Sequence, residues 1–219
     1  MRLAEPPAGL VLPVCPKSVS LEPRRSIASY RRPLSAARIS SEGLTEVSLV
    51  STFDIYGVRK ILPPRSIFVR ESVAGLLVTA QRLLPDPLGL CVLDGLRSES
   101  EQFALLSHYG EDAAREGFVA EITESGPRAP HLTGGAVDVT LELDGIPLAL
   151  GSDFDEFNSS SIYPSVQTSP TVGSLKSWLA FALLSTGFAP HPNEWWHWSF
   201  GDDNWAEFHS HSHVLYDEV

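Results

Sequence analysis

The stretch His131-Leu132-Thr133-Gly134-Gly135-Ala136-Val137-Asp138-Val139-Thr140-Leu141-Glu142-Leu143 decides the fold. From Ala136 to Leu143 apolar and polar residues alternate. Val137, Val139, Leu141 and Leu143 share one face, and Asp138, Thr140 and Glu142 share the other. A period of two marks a half-buried strand. Asp138 therefore opens a strand, on the face turned away from the aliphatic core. Gly134-Gly135 lets the backbone turn sharply just before it, so that His131 folds back beside Asp138. Asp144-Gly145 at the far end is a two-residue hairpin signal, and Ile146 to Leu150 reads as the return strand.

A second stretch, Glu194-Trp195-Trp196-His197-Trp198, follows a break at Pro192-Asn193. Three tryptophans in four positions suit a strand covered on both faces. Glu194 and His197 are three apart, which in a regular strand sends them to opposite sides. Glu194 must therefore lie in the turn before the strand, or a bulge must re-aim it. Together the two stretches hold two imidazoles, one carboxylate ligand and one spare carboxylate. A catalytic zinc ion needs three protein ligands, an open position for water and a base beside it. We assign His131, Asp138 and His197 as the ligands and Glu194 as the base. A single histidine or aspartate in such a place is ordinarily a satisfied polar residue; the two stretches together carry the assignment.

The pair H-x6-D and E-x-W-H resembles the zinc D,D-peptidases of the D-alanyl-D-alanine dipeptidase type, part of a group that includes D,D-carboxypeptidases and L,D-endopeptidases. The resemblance runs from about Thr52 to Glu207. It includes Leu93-Asp94-Gly95-Leu96-Arg97, Gly134 to Leu141, Gly151-Ser152-Asp153-Phe154-Asp155 and Glu194 to Trp198. It implies that His131, Asp138 and His197 bind one zinc ion per chain, that Glu194 is general base and acid, and that Arg97 steadies the oxyanion. It also implies that Asp155, with Ser152 nearby, receives the free ammonium of a small dipeptide, and it places an active-site wall near Thr52-Phe53. The chain departs from the family at Ala129, where a serine is usual, at Thr133, where an arginine or polar residue is common, and at Leu96, where a tyrosine is usual. These changes leave the metal ligands and base untouched. They bear on the contacts to the dipeptide's ends, and so on the substrate.

The remaining sequence sets bounds. A chain of 219 residues, 43% hydrophobic, suits one sizeable domain with a real core. A net charge of −11 argues against a nucleic-acid surface, which gathers Lys and Arg. Cys15 and Cys91 make no disulfide framework, and neither has a second thiol at metal-ligand spacing. No stretch is long enough to span a bilayer, and the apolar run Leu10 to Val14, broken by Pro13, is too short for a signal peptide. A cytoplasmic protein is the expectation. Residues 1–45 hold seven Lys or Arg against three Asp or Glu, and residues 46–219 hold nine against twenty-four. The first segment, with its Arg24-Arg25 and Arg31-Arg32 pairs, reads as an extended arm, or else as an arm packed on an acidic body. Residues 46–219 form the catalytic domain.

Within that domain, Val47 to Val50 and Phe53 to Tyr56 read as strand pieces. Val73, Leu76, Leu77, Ala80, Leu83 and Leu84 make one apolar stripe, which predicts a helix over 70–84 ended by Pro85. Leu90 to Leu93 reads as a short buried strand that delivers Arg97 to its end. Ser98 and Glu101 form a capping box for a helix running to about Tyr109. On the residues alone Arg97 is an arginine in a turn; the family match gives it a role. Asp153, Asp155 and Glu156 are a solvated loop or a receptor for an amine, and we prefer the receptor for Asp155 because the hairpin returns this loop towards Asp138. Leu175, Trp178, Leu179, Ala182 and Leu183 mark a further helix closed by Gly187. His191 lies near the site in sequence but is given no ligand role. His209, His211 and His213 read as a solvated tail rather than a second metal site.

The fold expected is α+β: an antiparallel sheet carrying the zinc ligands, with helices packed on its outer face. The expected function is a zinc metallopeptidase hydrolysing D-alanyl-D-alanine or a similar small dipeptide. The alternatives are the same chemistry on another dipeptide or cell-wall fragment, and a non-catalytic zinc-binding module for peptidoglycan or a partner.

Overall fold

A computed structural model describes residues 1–16, 42–110, 129–162 and 169–219. The Arg24-Arg25 and Arg31-Arg32 pairs lie outside the described residues. Eight strands and five α-helices are seen among those residues: β1 (Leu44–Glu46), β2 (Ser51–Thr52), α1 (Ile55–Val58), β3 (Phe68–Arg70), α2 (Glu71–Gln81), β4 (Leu88–Asp94), α3 (Glu99–Tyr109), β5 (Ala136–Leu143), β6 (Ile146–Pro147), α4 (Pro170–Ser185), β7 (Ala189–His191), β8 (Glu194–Ser199) and α5 (Asp203–Phe208). A short 3-10 turn, Pro130–Thr133, precedes β5.

The main sheet runs β2-β4-β5-β8-β7, with β6 added on β5. The α+β class holds, but the sheet is mixed rather than antiparallel. Ser51 and Thr52 of β2 pair in parallel with Cys91 and Val92 of β4. The physical reason is the connection: α1, β3 and α2 intervene between β2 and β4, and a crossover of that kind returns the chain in the same direction. The hairpin signal at Asp144-Gly145 reports only on β5 and β6.

β4 is buried almost throughout, and its neighbour β5 is buried from Ala136 to Leu141. Val137, Val139 and Leu141 join Leu90, Val92, Val73, Leu77, Leu179 and Leu183 in the core, all fully buried. The apolar stripe forms α2 a little shorter than predicted, with Val73, Leu77 and Ala80 inward. A Leu77→Ala change in such a core costs about 2–5 kcal/mol. α3 starts at the predicted capping box: Ser98 caps Glu101, and the Glu101 side chain returns to the Ser98 backbone. α4 ends at Thr186, and Gly187 then takes a left-handed φ of 93°.

Three local expectations are corrected. Val47 to Val50 is not a strand; it connects β1, which ends at Glu46, to β2, which starts at Ser51. Phe53 to Tyr56 is not a strand; Asp54 accepts from the Gly57 amide and starts α1 instead. The return strand stops at Pro147, and residues 148–149 pair with the chain's first residues: Ala4 N–H donates to Pro147 O at 3.1 Å, and Ala149 N–H to Ala4 O at 2.7 Å. Residues 1–16 touch the body elsewhere too. Leu3 N–H donates to Asp153 Oδ1 at 2.9 Å, and the Trp178 indole to Pro13 O at 3.1 Å.

Candidate metal centre

Asp138 and His197 are direct partners across β5 and β8. His131 joins them through the turn before β5. Gly134 there has φ 71°, a conformation that favours glycine, and a Cβ on Gly135 would lie 2.2 Å from Phe200 O. Only glycine lets the chain fold this closely onto the end of β8. The turn brings His131 Nε2 to 3.4 Å from Asp138 Oδ1, with His197 Nδ1 3.2 Å from each of them.

The outer atoms of these rings fix the inner ones. His131 Nδ1 donates to Gly95 O at 2.7 Å, which leaves Nε2 as a lone pair facing the triangle. His197 Nε2 lies 3.4 Å from Ser199 Oγ, so the tautomer protonated there turns the Nδ1 lone pair inward. Burial, then the nearby His131, hold the His197 imidazole below its ordinary pKa, in the neutral form a ligand needs.

Three observations test whether a cation fits. The triangle edges match a tetrahedral site with metal–ligand distances of about 2.0–2.1 Å, whose ligand atoms stand about 3.3–3.4 Å apart. Asp138 Oδ1 is fully buried yet accepts no hydrogen bond. Such an oxygen is costly unless something positive meets it. Two nitrogens and one oxygen are also a usual donor set for a divalent ion. Among the described residues, His131, Asp138 and His197 are the group of His, Cys, Asp and Glu side chains that converges in this way. The tail histidines do not: His209 Nε2 bonds Gly187 O at 3.0 Å, and the His211 ring lies on Trp205, 4.5 Å between centroids.

Glu194 reaches the same corner. Pro190 pairs with Trp198 and the next residue, His191, with Glu194, so β8 bulges between them. The bulge turns Glu194 and His197 to one side despite their odd spacing. Glu194 Oε2 stands 3.8 Å from His197 Nδ1 and 3.9 Å from His191 Nδ1. Burial, then the Asp138 and Asp155 charges, push the Glu194 carboxyl well above the usual carboxylate range. His191 therefore belongs to this corner, its pKa pushed down by burial and then by His197.

Arg97 is held on all sides. Nε donates to Asp94 Oδ2 at 2.6 Å, Nη1 to Gln102 Oε1 at 3.1 Å, and Nη2 to both Tyr56 Oη and Asp138 Oδ2 at 3.2 Å. Its backbone N–H donates to His131 O at 3.1 Å. On the other flank, Asp155 accepts from the Tyr109 hydroxyl at 2.6 Å. Burial raises the Asp155 carboxyl to about 7; the Tyr109 hydrogen bond opposes the shift and the Asp138 charge adds to it. Its loop neighbours face elsewhere: Asp153 binds Arg59 at 3.0 Å, and Glu156 accepts from the Asp153 N–H at 2.9 Å. Ser152 is buried, and its hydroxyl accepts from the Trp195 indole at 3.0 Å.

Residues 36–215 match the family described as D-Ala-D-Ala dipeptidase. The chain belongs to the D-Ala-D-Ala dipeptidase family. A D-alanyl-D-alanine dipeptidase of Synechocystis sp. is 34% identical over 102 residues, covering 41% of this chain and 41% of that protein. The chain thus spans about two fifths of the length of the curated relative it matches. Metal dependence is general in this family of peptidases, and the His131–Asp138–His197 triangle is where the fold can hold an ion.

The structure brings six of the seven residues singled out from sequence around one corner or its flank, and Ser152 beside Trp195. Sequence reasoning missed Tyr56, Tyr109, Asp94 and Gln102. Asp94 lay in a quoted motif, three residues before Arg97. The phenols carried no sequence signal, since Tyr56 was read in a strand and Tyr109 as a helix end.

Proposed function

We propose that this chain is a zinc metallopeptidase that hydrolyses D-alanyl-D-alanine or a similar small dipeptide. The observation that supports it most is the orphaned Asp138 Oδ1 facing two imidazole nitrogens, with Glu194 alongside. His131, Asp138 and His197 would hold the zinc ion. When bound, zinc supplies a Lewis acid for the scissile carbonyl and lowers the pKa of bound water towards about 7.

Glu194 takes the proton from the attacking water and passes it to the leaving amine as the C–N bond breaks. Arg97, fixed by Asp94, Gln102 and Tyr56, steadies the oxyanion, a contact of the kind worth about 3 kcal/mol in barrier height. Asp155, with Ser152 nearby, receives the free ammonium of the substrate. We take residues 46–219 as the catalytic unit. We also assign the protein to the cytoplasm.

The departures from the family favour a second reading of the substrate. Thr133 is buried, its hydroxyl donating to Pro130 O at 2.6 Å. Ala129 offers a methyl where a hydroxyl is usual. The same chemistry on a different dipeptide or wall fragment follows from that loss. Release of alanine from D-Ala-D-Ala, with L-Ala-L-Ala as control and a panel of mixed-chirality dipeptides beside it, separates the two. A Glu194→Ala protein that retains its metal should lose nearly all turnover; full activity there removes Glu194 as base.

A further inference from the structure

The amine receptor and the oxyanion arm are joined by a phenol. Tyr56 lies in α1 and is buried. Its hydroxyl accepts from Arg97 Nη2 at 3.2 Å, and the phenol is among the groups that favour the ionised form of the Asp155 carboxyl. A phenol that accepts on a lone pair keeps its one proton to offer to a carboxylate. Tyr109, the last residue of α3, donates to Asp155 Oδ2 at 2.6 Å. Tyr109 thus grips the carboxylate directly, and Tyr56, from another helix, touches Arg97 and the residue before Asp155.

The surroundings fix both phenols against the loop that carries Asp155. The Tyr56 ring meets Phe154 edge-on with centroids 5.5 Å apart, and the Tyr109 ring meets Phe157 in the same way at 5.2 Å. Asp155 has φ 56°, which an aspartate adopts at some cost. Arg59 holds the loop from outside, donating to Phe154 O at 2.9 Å and to Asp153 at 3.0 Å. A strained backbone held by its neighbours on every side is a feature that accompanies a functional group.

We propose that Tyr56 and Tyr109 are positioning residues that orient Asp155 towards the substrate ammonium, and that Tyr56 sets the spacing between this receptor and Arg97. This rests on the dipeptidase reading for the role of Asp155. Neither phenol touches the reacting atoms. Tyr109 acts only through Asp155, whereas Tyr56 acts through Asp155 and Arg97. Substitution at the two positions therefore has different consequences.

The groups acting on Asp155 are Tyr109 from α3, Tyr56 from α1, Asp138 from β5, and Arg97. Tyr109 donates to the ionised form and Tyr56 also favours it, so removing either raises the pH at which Asp155 ionises. Tyr109→Phe and Tyr56→Phe are made in the full chain, loaded with zinc, and assayed on D-Ala-D-Ala. Tyr109→Phe is expected to raise KM about tenfold at neutral pH, the loss of one charge-assisted hydrogen bond, with the change falling on KM rather than kcat. Its KM-against-pH curve moves to higher pH. Tyr56→Phe is expected to do the same and also to lower kcat, because Arg97 loses a partner. A lower melting temperature or active fraction with an unmoved KM–pH curve in both variants overturns the proposal.

A carboxyl 13C NMR titration, with the Asp155 signal assigned from Asp155→Asn, reads the same grip without turnover. A rise in the Asp155 midpoint in each Phe variant supports the proposal, and an unmoved midpoint sinks it. A wild-type protein that cleaves no dipeptide sinks the dipeptidase reading instead.

Discussion

Asp94 and Asp138 face each other on neighbouring strands, β4 and β5, and the Arg97 guanidinium spans the gap between them. Asp94 also pairs with Arg65, so one buried carboxylate restrains two guanidinium groups. Breaking a buried pair of this kind costs about 3–5 kcal/mol, because the partner charge is left behind. Asp94→Ala should lower stability by about that amount in chemical denaturation, and should lower kcat further as Arg97 loosens. An Asp94→Ala protein with wild-type stability and kcat would show that Arg97 is held without it.

Metal should stabilise the fold through Asp138. An ion that binds only the folded chain adds about 4 kcal/mol at a thousandfold excess over Kd. Zinc is expected to raise the Tm of metal-stripped protein, and a chelator to reverse the rise. In Asp138→Ala, which loses the carboxylate corner, the zinc-dependent rise should disappear. Persistence of the full rise in that variant would place the ion elsewhere.

Substrate binding should strengthen with pH through neutrality. Only ionised Asp155 attracts an ammonium group, and burial pushes this carboxyl up to about 7. KM should therefore fall as pH rises through about 7, and Asp155→Asn should show a higher, flatter KM. Stability runs the other way. A carboxyl raised in the folded state stabilises fully below its unfolded value near 4, and this contribution is lost as pH rises through about 7. A denaturation series with pH on wild type and Asp155→Asn isolates the term.

Lys176 should be a net cost at neutral pH. It is buried in α4, its Nζ donates to Ser160 O at 3.4 Å, and burial pushes its pKa down to about 8. Between about 8 and 10.5 the unfolded chain holds a proton that the folded chain has lost, so stability rises with pH there. Lys176→Met should stabilise by about 1–3 kcal/mol at pH 7 and lose that slope. A destabilised variant would mean that the ammonium contacts outweigh its desolvation.

The metal corner was legible because its geometry is local. Alternation set Asp138 on one strand face, and Gly134-Gly135 announced the turn that returns His131. The odd spacing of Glu194 and His197 required a bulge, and one is found between Pro190 and His191. The strand order was less legible, since the parallel partner of β4 is only two residues long. The grip on Asp155 was not legible at all. Tyr56, Tyr109 and Asp155 meet from segments far apart, and nothing in their local sequence marks a phenol that will point at a carboxylate. Likewise the first residues read as part of an extended arm, yet Leu3 anchors Asp153 across 150 positions through a backbone amide that no side-chain pattern reports.

The pairing of Asp138 with His197 across β5 and β8 has a bearing on biosynthesis. A nascent polypeptide that has emerged only as far as β5 carries His131 and Asp138, while His197 and Glu194 are still to be translated. On the metallopeptidase reading proposed above, products ending before β8 would lack the third ligand and the base, and activity would await the zipping of that late strand onto its earlier neighbour.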